Sequence, residues 1–281
     1  MRLAALAAVA AAAAFGPAAT ALANSTQSTN WAGYAVHRQG VHFTQVVGQW
    51  TQPTVTCVPG PPTYSSLWVG IGGYSSSSQA LEQIGTEADC SGSGHQQSSA
   101  WFELVPAASS TISVPVAPGD GVKATVTVTG HTVVVALTVA PPGAPLSAGR
   151  TFQRRLHAKL IDTTSAEWIV EAPSLCSGNS CQTLPLADFG STGFAFATAA
   201  SAAGQAGTIQ SPSWTTTSIS LFEGGRRFGG PGSQQGAVTA TPGALAYNGS
   251  LFPVTFNGGP GAAVVSTNTI PGAKLVHGAP R

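Results

Sequence analysis

One short stretch of the sequence, residues 165–171, combines the composition of a β-strand with two of the chain's ten acidic residues. In an extended strand alternate residues share a face, so Glu167 and Glu171 point one way while Trp168 points the other. Four residues of strand span about 13 Å. The two carboxylates therefore cannot both act on the same group. Each is either a solvated charge on an exposed sheet face or part of a catalytic site.

Acids and amides also concentrate in two earlier strand-like runs. Gln83 and Gly85 share a face in the first run, and Trp101 and Glu103 share a face in the second. A Glu can take a proton from water, and a neutral Gln amide can donate a hydrogen bond to a developing oxyanion without changing charge as pH falls. These residues fit either an exposed, solvated sheet face or a hydrolytic site.

The familiar signatures of other catalytic sites are missing from the sequence. It contains no GxSxG, HExxH, P-loop or GxGxxG motif, and no CxxC pair that would indicate zinc. We therefore expect no metal and no cofactor.

Charge limits the choice of partners. The chain has 11 Lys and Arg against 10 Asp and Glu, and charged residues make up only 7% of it. A surface close to neutral gives no electrostatic basis for binding nucleic acid or an anionic membrane. Few ionised pairs are lost when the medium turns acid, so this composition suits a protein that works at low pH. We expect it to be a monomer.

The first 23 residues are typical of a secretory signal peptide. Arg2 precedes an apolar, Ala-rich run, and Ala21-Leu22-Ala23 forms a small-residue cleavage site. The apolar run is too short to span a bilayer, which takes about 20 residues. A secreted protein beginning at Asn24 is therefore predicted.

Four cysteines in an exported chain indicate two disulfides. Cys176 and Cys181 are close enough in sequence to pair locally, which leaves Cys57 with Cys90 as the simplest of three possible connectivities.

Apolar and polar residues alternate along most of the mature chain, with turn residues every eight to twelve positions, as in antiparallel strands of a sandwich or barrel. The predicted strands are His42–Trp50, Ser66–Ile71, Gln79–Ile84, Ser99–Val105, Thr111–Val116, Val122–Thr129, His131–Val139, Thr151–Ile161, Ser165–Glu171, Gly193–Ala199, Thr216–Phe222, Ala244–Asn248 and Ala262–Thr267. The fold class predicted is all-β, with two antiparallel sheets packed face to face.

The domain boundaries follow from composition. We expect one domain over residues 24–269 and a loose C-terminal tail over residues 270–281. The Gly- and Pro-rich segment 224–243 is predicted to be a long loop, either a mobile surface loop or a lid over a cleft.

Five blocks in this order resemble the glutamic peptidases, the eqolisins first described from fungi. They are Asn30-Trp31-Ala32-Gly33, Leu67-Trp68-Val69-Gly70-Ile71-Gly72-Gly73, Glu82-Gln83-Ile84-Gly85, Ala100-Trp101-Phe102-Glu103 and Ala166-Glu167-Trp168-Ile169-Val170-Glu171. The resemblance implies a curved, concanavalin-like or jelly-roll β-sandwich that binds polypeptide on its concave face. It also implies an acid endopeptidase that hydrolyses peptide bonds with a Gln and Glu dyad.

The resemblance assigns roles to particular residues. Gln83 matches the catalytic Gln, and Glu171 matches the catalytic Glu, with Glu167 as the alternative. Three further residues match supporting or substrate-binding positions: Trp101 lines the cleft, Glu103 is a nearby acid, and Glu87 lies four residues beyond the Gln. Trp31 matches a residue of the cleft wall, although composition alone fits a core position as well.

Two other functions remain open at the level of sequence. A β-sandwich glycoside hydrolase would need two carboxyls about 5 to 9.5 Å apart, which Glu103 could supply across strands. A non-catalytic module could bind carbohydrate or peptide on Trp31 and Trp101, with saturable binding and no turnover.

Overall fold

The computed structural model describes residues 24–177, 180–223, 237–258 and 274–277, and strands dominate these ranges. The strands are β1 Asn24–Ser28, β2 Trp31–His37, β3 Phe43–Thr51, β4 Ser66–Gly72, β5 Leu81–Cys90, β6 Gln96–Val105, β7 Ser110–Ile112, β8 Gly121–Thr129, β9 Thr132–Ala140, β10 Arg150–His157, β11 Ser165–Glu171, β12 Ser174–Ser177, β13 Ser180–Thr183, β14 Ser191–Ser201, β15 Ala206–Thr208, β16 Thr215–Glu223, β17 Ala237–Pro242, β18 Phe252–Phe256 and β19 Lys274–Val276. Two short 3-10 turns, Leu146–Ala148 and Tyr247–Gly249, complete the regular structure of these ranges.

Two antiparallel layers are formed by these strands, as predicted. The first, here called the cleft sheet, has the order β18-β17-β16-β2-β11-β4-β5-β6-β7, and the second, the back sheet, has the order β10-β9-β8-β3-β14. The N-terminal strand β1 is added to β16 in parallel. A separate three-stranded sheet has the order β13-β12-β19.

Strand β14 belongs to both layers. Its first part, Ser191–Phe194, pairs with β18, and its second part pairs with β3 beyond a register shift between Ala195 and Thr198. Phe196, within this shift, has a φ of 51° and an exposed ring. A bulge bends a strand and increases its twist, which lets one strand turn the corner between two sheets.

The main core lies between the two layers. Val46 and Val126 of the back sheet pack in one apolar cluster with Val69 and Trp168 of the cleft sheet. The indole of Trp168 also donates a hydrogen bond across the layers to the carbonyl of Val47 at 2.7 Å. Glu167, Ile169 and Glu171 therefore face outward from the sandwich, as the alternation of the strand predicts.

A second apolar cluster covers the outer face of the cleft sheet. It comprises Trp31, Ala35, Trp68, Leu81, Trp101, Ile169 and Ile219. The central strands β4 and β11 are consequently buried on both faces along their whole length. Carboxylates on this outer face lie in a desolvated setting rather than on an open sheet surface.

Several sequence predictions need correction. Residues 244–248 form no strand but lead into a 3-10 turn, because Tyr247 and Asn248 have positive φ. Part of the predicted loop 224–243 is strand β17, which pairs with β16 and β18. Residues 274–276, expected in a loose tail, form β19.

Other predictions concern residues outside the described ranges. They are the signal peptide over residues 1–23, residues 224–236 of the Gly- and Pro-rich segment, the predicted strand over residues 262–267, and the remainder of the tail.

Both disulfides have the expected partners. Cys57 bonds to Cys90 at the end of β5, and Cys176 bonds to Cys181 across the β12–β13 hairpin. The first ties a long connection to a central strand, and the second closes a loop of only a few residues.

Candidate active site

The candidate site lies on the outer face of the cleft sheet, where β11, β4, β5 and β6 are consecutive neighbours. Gln83 of β5 pairs directly with Glu103 of β6. Strand β4 separates β5 from β11, and its residue Ser66 lies opposite both Glu171 and Glu87. Sheet pairing thus brings residues that are distant in sequence onto one surface.

Glu171 is held by two neutral hydrogen-bond donors. The side-chain amide of Asn30 donates to its Oε1 at 3.0 Å, and the indole of Trp68 donates to its Oε2 at 2.7 Å. The carboxyl group is fully buried. Hydrogen bonds that a carboxylate accepts favour its ionised form and offset part of the cost of burial. Glu171 is therefore equipped to hold a negative charge.

Glu167 has a different environment, although it lies opposite Gly70, the residue that pairs with Gln83. Its side chain is fully buried, and neither carboxyl oxygen has a hydrogen-bond partner within the described residues. Burial raises the pKa of Glu167 well above its ordinary value; the nearby hydroxyl of Ser165 opposes this shift, and the charges of Asp162 and Glu82 add to it. A carboxyl in this setting is protonated in acid and is unsuited to act as a base.

Gln83 and Glu103 together bind the backbone of His277, in the chain's own C-terminal segment. The amide nitrogen of Gln83 donates to the backbone carbonyl of His277 at 2.8 Å and approaches Oε2 of Glu103 at 3.5 Å. The backbone N–H of His277 donates to the same oxygen of Glu103 at 2.9 Å. The two side chains thus bind both polar groups of one residue in an extended peptide.

Burial raises the pKa of Glu103 to about 9, and the charge of Glu171 adds to this shift, against the opposing hydrogen bond from His277. In acid solution Glu103 is accordingly neutral.

Glu87 and Trp101 hold the side chain of the same histidine. The imidazole of His277 stacks on the indole of Trp101, with ring centroids 3.7 Å apart and planes 10° from parallel. Its Nε2 lies 3.1 Å from Oε1 of Glu87, whose other oxygen accepts a hydrogen bond from Ser99 at 2.8 Å.

Titration of Glu87 and His277 is linked through this contact. Burial would raise the pKa of Glu87, but the hydrogen bond and charge of His277 and the hydroxyl of Ser99 outweigh it, so the pKa is lowered. Burial also lowers the pKa of His277, although Glu87 opposes that shift.

Tryptophan rings build the floor and wall of the site. Trp31 meets Trp68 edge to face with centroids 5.0 Å apart, and Trp101 donates from its indole to Ser66 at 3.1 Å. A Cβ on Gly85 would lie 2.6 Å from the Cβ of Trp68 and 2.2 Å from the carbonyl oxygen of Leu67. Glycine at this position lets β4 and β5 approach closely enough to hold Trp68 against Glu171.

All the predicted site residues except Glu167 take part in this network of contacts. Three further members were not singled out from the sequence, namely Asn30, Trp68 and His277. The first two lie within the blocks Asn30–Gly33 and Leu67–Gly73, which resemble the glutamic peptidases, but the resemblance assigned them no role. His277 carries no local signal, because only tertiary contacts bring it to the cleft.

Two concave pockets lie elsewhere. A pocket of about 530 Å³ is lined by residues including Trp50, Leu146 and Phe252, and it contains no titratable side chain. A second, of about 400 Å³, is lined by residues including Ser75, Ser78 and Asp162. At the candidate site, the side chain and backbone of His277 lie against Trp101, Glu87, Gln83 and Glu103.

The described ranges contain neither a candidate metal site nor a candidate membrane-spanning helix. No cluster of three His, Cys, Asp or Glu side chains is placed to bind a metal ion there. Nor does any helical segment of those ranges have the length and apolarity needed to cross a bilayer.

Comparisons with known proteins agree on one family. The model of the Peptidase A4 family matches residues 29–222. Two structures of scytalido-glutamic peptidase, each with a transition-state analogue, superimpose with a TM-score of 0.62 at 19% and 20% identity, covering 81% of this chain and 98% of theirs. SCP-B, an eqolisin in complex with the tripeptide Ala-Ile-His, gives a TM-score of 0.59 at 18% identity, with the same coverage. A search of curated proteins gives no match.

Proposed function

Because the chain belongs to the Peptidase A4 family of glutamic peptidases, we propose that it is a secreted acid endopeptidase that uses Gln83 and Glu171 as its catalytic dyad. Its substrates are polypeptides, in keeping with the peptide bound to SCP-B and the transition-state analogues bound to scytalido-glutamic peptidase. Two disulfides support an oxidising, extracellular location.

The observation that carries the proposal is the bond between Gln83 and a peptide carbonyl. The amide of Gln83 donates to the carbonyl of His277 at 2.8 Å, while Oε2 of Glu171 lies 3.9 Å from Nδ1 of the same residue. A donor aimed at a peptide carbonyl is the arrangement that stabilises an oxyanion. A carboxylate within a few ångströms of that residue is near enough to act on a water beside it.

The proposed reaction uses one water molecule and no other reactant. Glu171 takes a proton from the water, whose oxygen attacks the scissile carbonyl carbon. Gln83 donates to the oxyanion of the tetrahedral intermediate. The carbon–nitrogen bond then breaks, and Glu171 returns the proton to the leaving amine.

The neighbouring residues keep Glu171 ionised for this task. Asn30 and Trp68 each donate a hydrogen bond to it, and the raised pKa of Glu103 removes a competing negative charge in acid. A free Glu titrates near pH 4.3, so such donors are needed for a base that works at lower pH.

A protease assay between pH 2 and 7 on the secreted protein tests the proposal, with casein as substrate and pepstatin present. We expect hydrolysis in the acid range. Glu171→Gln removes the base and should reduce kcat by about 10²- to 10⁴-fold. Gln83→Ala removes the oxyanion donor and should cost about 10²- to 10³-fold.

The matched control for the acid is Glu167→Gln, which replaces a neutral, buried carboxyl by an isosteric amide and should retain most of the activity. Full activity in Glu171→Gln together with loss in Glu167→Gln would reverse the assignment. Folding of each variant is checked by its near-ultraviolet circular dichroism.

A further inference from the structure

The segment Lys274–His277 begins as a strand of the small three-stranded sheet and brings His277 into the cleft. Its strand β19 pairs antiparallel with β12, with Val276 opposite Ser174 and Leu275 opposite Leu175. Strand β12 follows β11, the strand that carries Glu171, after only two residues. An extended peptide that joins an open sheet edge gains main-chain hydrogen bonds while side-chain pockets supply specificity.

Contacts to the backbone of His277 are those that a bound substrate residue would make. Its N–H donates to Glu103 and its carbonyl accepts from Gln83, at 2.9 and 2.8 Å. Both partners belong to the proposed active site. Gln83 and Glu103 therefore cannot bind the backbone of an external peptide while they bind that of His277.

The side chain of His277 is recognised separately from its backbone. It is 1% exposed, stacked on Trp101 and within 3.1 Å of Glu87. A flat ring with an N–H at its edge satisfies the stacking surface and the carboxylate together, whereas an aliphatic side chain would leave Glu87 without that donor. Charged or titratable groups face the imidazole from three strands: Glu87 on β5, Glu103 on β6 and Glu171 on β11.

We propose that Trp101 and Glu87 form a subsite for an imidazole side chain, and that the chain's own segment 274–277 occupies the cleft through it as an intramolecular competitor of substrate. The proposal rests on the function assigned above to the same cleft. It gives the peptidase a resident peptide ligand that external substrate must displace. It also predicts that substrates carrying His at the position held by residue 277 are preferred.

A tethered ligand competes more effectively than a free peptide of the same sequence. Its effective concentration reaches the millimolar range for short flexible connections. Only the fraction of molecules with an open cleft binds substrate, so the apparent kcat/KM equals the intrinsic value multiplied by that fraction.

The test compares His277→Ala with the parent chain and with His95→Ala, which alters an exposed histidine in the turn between β5 and β6. Each protein is assayed on a quenched-fluorescent peptide. We expect kcat/KM of His277→Ala to rise by about tenfold or more, mainly through a lower KM, as an occupied-to-open ratio of ten would give. His95→Ala should match the parent chain.

A synthetic peptide with the sequence of residues 274–281 provides a second readout. It should inhibit His277→Ala competitively and bind to it in calorimetry, and the same peptide with Ala in place of His should do neither. Unchanged kcat/KM in His277→Ala, or equal binding of the two peptides, would overturn the proposal.

The binding measurement separates this proposal from the proposed catalysis. If the peptide binds selectively but no form of the protein cleaves casein between pH 2 and 7, the subsite stands and the hydrolytic assignment fails. If all forms cleave casein equally and the peptide does not bind, catalysis stands and the intramolecular competitor does not exist.

Discussion

At the scale of single residues, hydrogen-bond donors distinguish two glutamates that the sequence presents as equivalents. Glu171 accepts from Asn30 and Trp68, whereas the oxygens of Glu167 have no partner among the described residues. Both carboxyls are fully buried. The donors therefore decide which of them can carry charge in acid.

Replacing Trp68 by Phe tests the role of its donor. Trp68→Phe keeps an aromatic ring beside Trp31 but removes the N–H that bonds to Glu171 at 2.7 Å. A hydrogen bond to a charged group contributes about 1.5 to 3 kcal/mol, so we expect kcat/KM to fall by about 10- to 100-fold. Protonation of Glu171 becomes easier, and the acid limb of the pH–rate profile should move to higher pH.

The control for this substitution is Trp214→Phe. Trp214 is also buried and donates from its indole, but to the backbone carbonyls of Thr208 and Ile209 in the main core. We expect Trp214→Phe to lower the free energy of unfolding without shifting the pH–rate profile. An unshifted profile in Trp68→Phe would show that the indole only fills space.

At the scale of secondary-structure elements, the two disulfides fix different parts of the cleft. Cys57–Cys90 closes a sequence separation of 33 residues and anchors the end of β5, which carries Gln83 and Glu87. Cys176–Cys181 closes a separation of 5 residues and shapes the hairpin on which β19 docks.

Loop length predicts unequal contributions of these bonds to stability. By loop-closure entropy the longer loop contributes about 4 kcal/mol and the shorter about 2 kcal/mol. The paired variants Cys57→Ala with Cys90→Ala and Cys176→Ala with Cys181→Ala should differ accordingly in the free energy of unfolding measured in urea. A larger loss from the shorter loop would contradict this expectation.

At the scale of the whole molecule, the buried acids adapt the fold to low pH. Burial raises the pKa of Glu82 and Glu103 to about 9 and that of Asp89 to about 8, and it also raises the pKa of Glu167 well above its ordinary value. These are four of the ten acidic residues. In the unfolded chain each of them ionises near pH 4.

The direction of the pH dependence follows from this difference. Between about pH 4.5 and the folded-state pKa, the unfolded chain has released a proton that the folded chain keeps, so the free energy of unfolding falls as pH rises. Each such group contributes about 1.4 kcal/mol per pH unit. The stabilisation is complete below pH 4 and is lost toward pH 9, so the fold should be more stable in acid than in alkali.

Glu82→Gln tests this dependence at one site. Glu82 is fully buried with both oxygens unpartnered among the described residues, and it alternates with Gln83 so that it faces away from the cleft. Urea unfolding at pH 5, 6, 7 and 8 should give a slope that is smaller by about 1.4 kcal/mol per pH unit than in the parent chain. Asp188→Asn, at a half-buried acid that accepts from the N–H of Gly190, is the control. An identical slope in Glu82→Gln and the parent would contradict the assignment.

The alternation of apolar and polar residues by itself determined the class of the fold and most of its long strands. Strand β11 has its predicted bounds, and β8, β9 and β16 differ from prediction by no more than one residue at either end, because period-two patterning reflects a local geometry. The resemblance of five sequence blocks to the glutamic peptidases also marked Gln83, Glu87, Trp101, Glu103 and Glu171 as candidates. Residue types that can act in catalysis, such as Glu and Gln, can be identified from the sequence without knowledge of their surroundings in the fold.

Only the tertiary structure decided how these residues act. Hydrogen-bond donors to Glu171 come from β4 and from the residue before β2, and the isolation of Glu167 depends on what packs around it. The docking of His277 depends on contacts with residues more than 100 positions away, such as Glu103 and Gln83. Contacts between residues so distant produce no periodic pattern in the sequence, because strands pair and side chains become buried only once the sheets have formed.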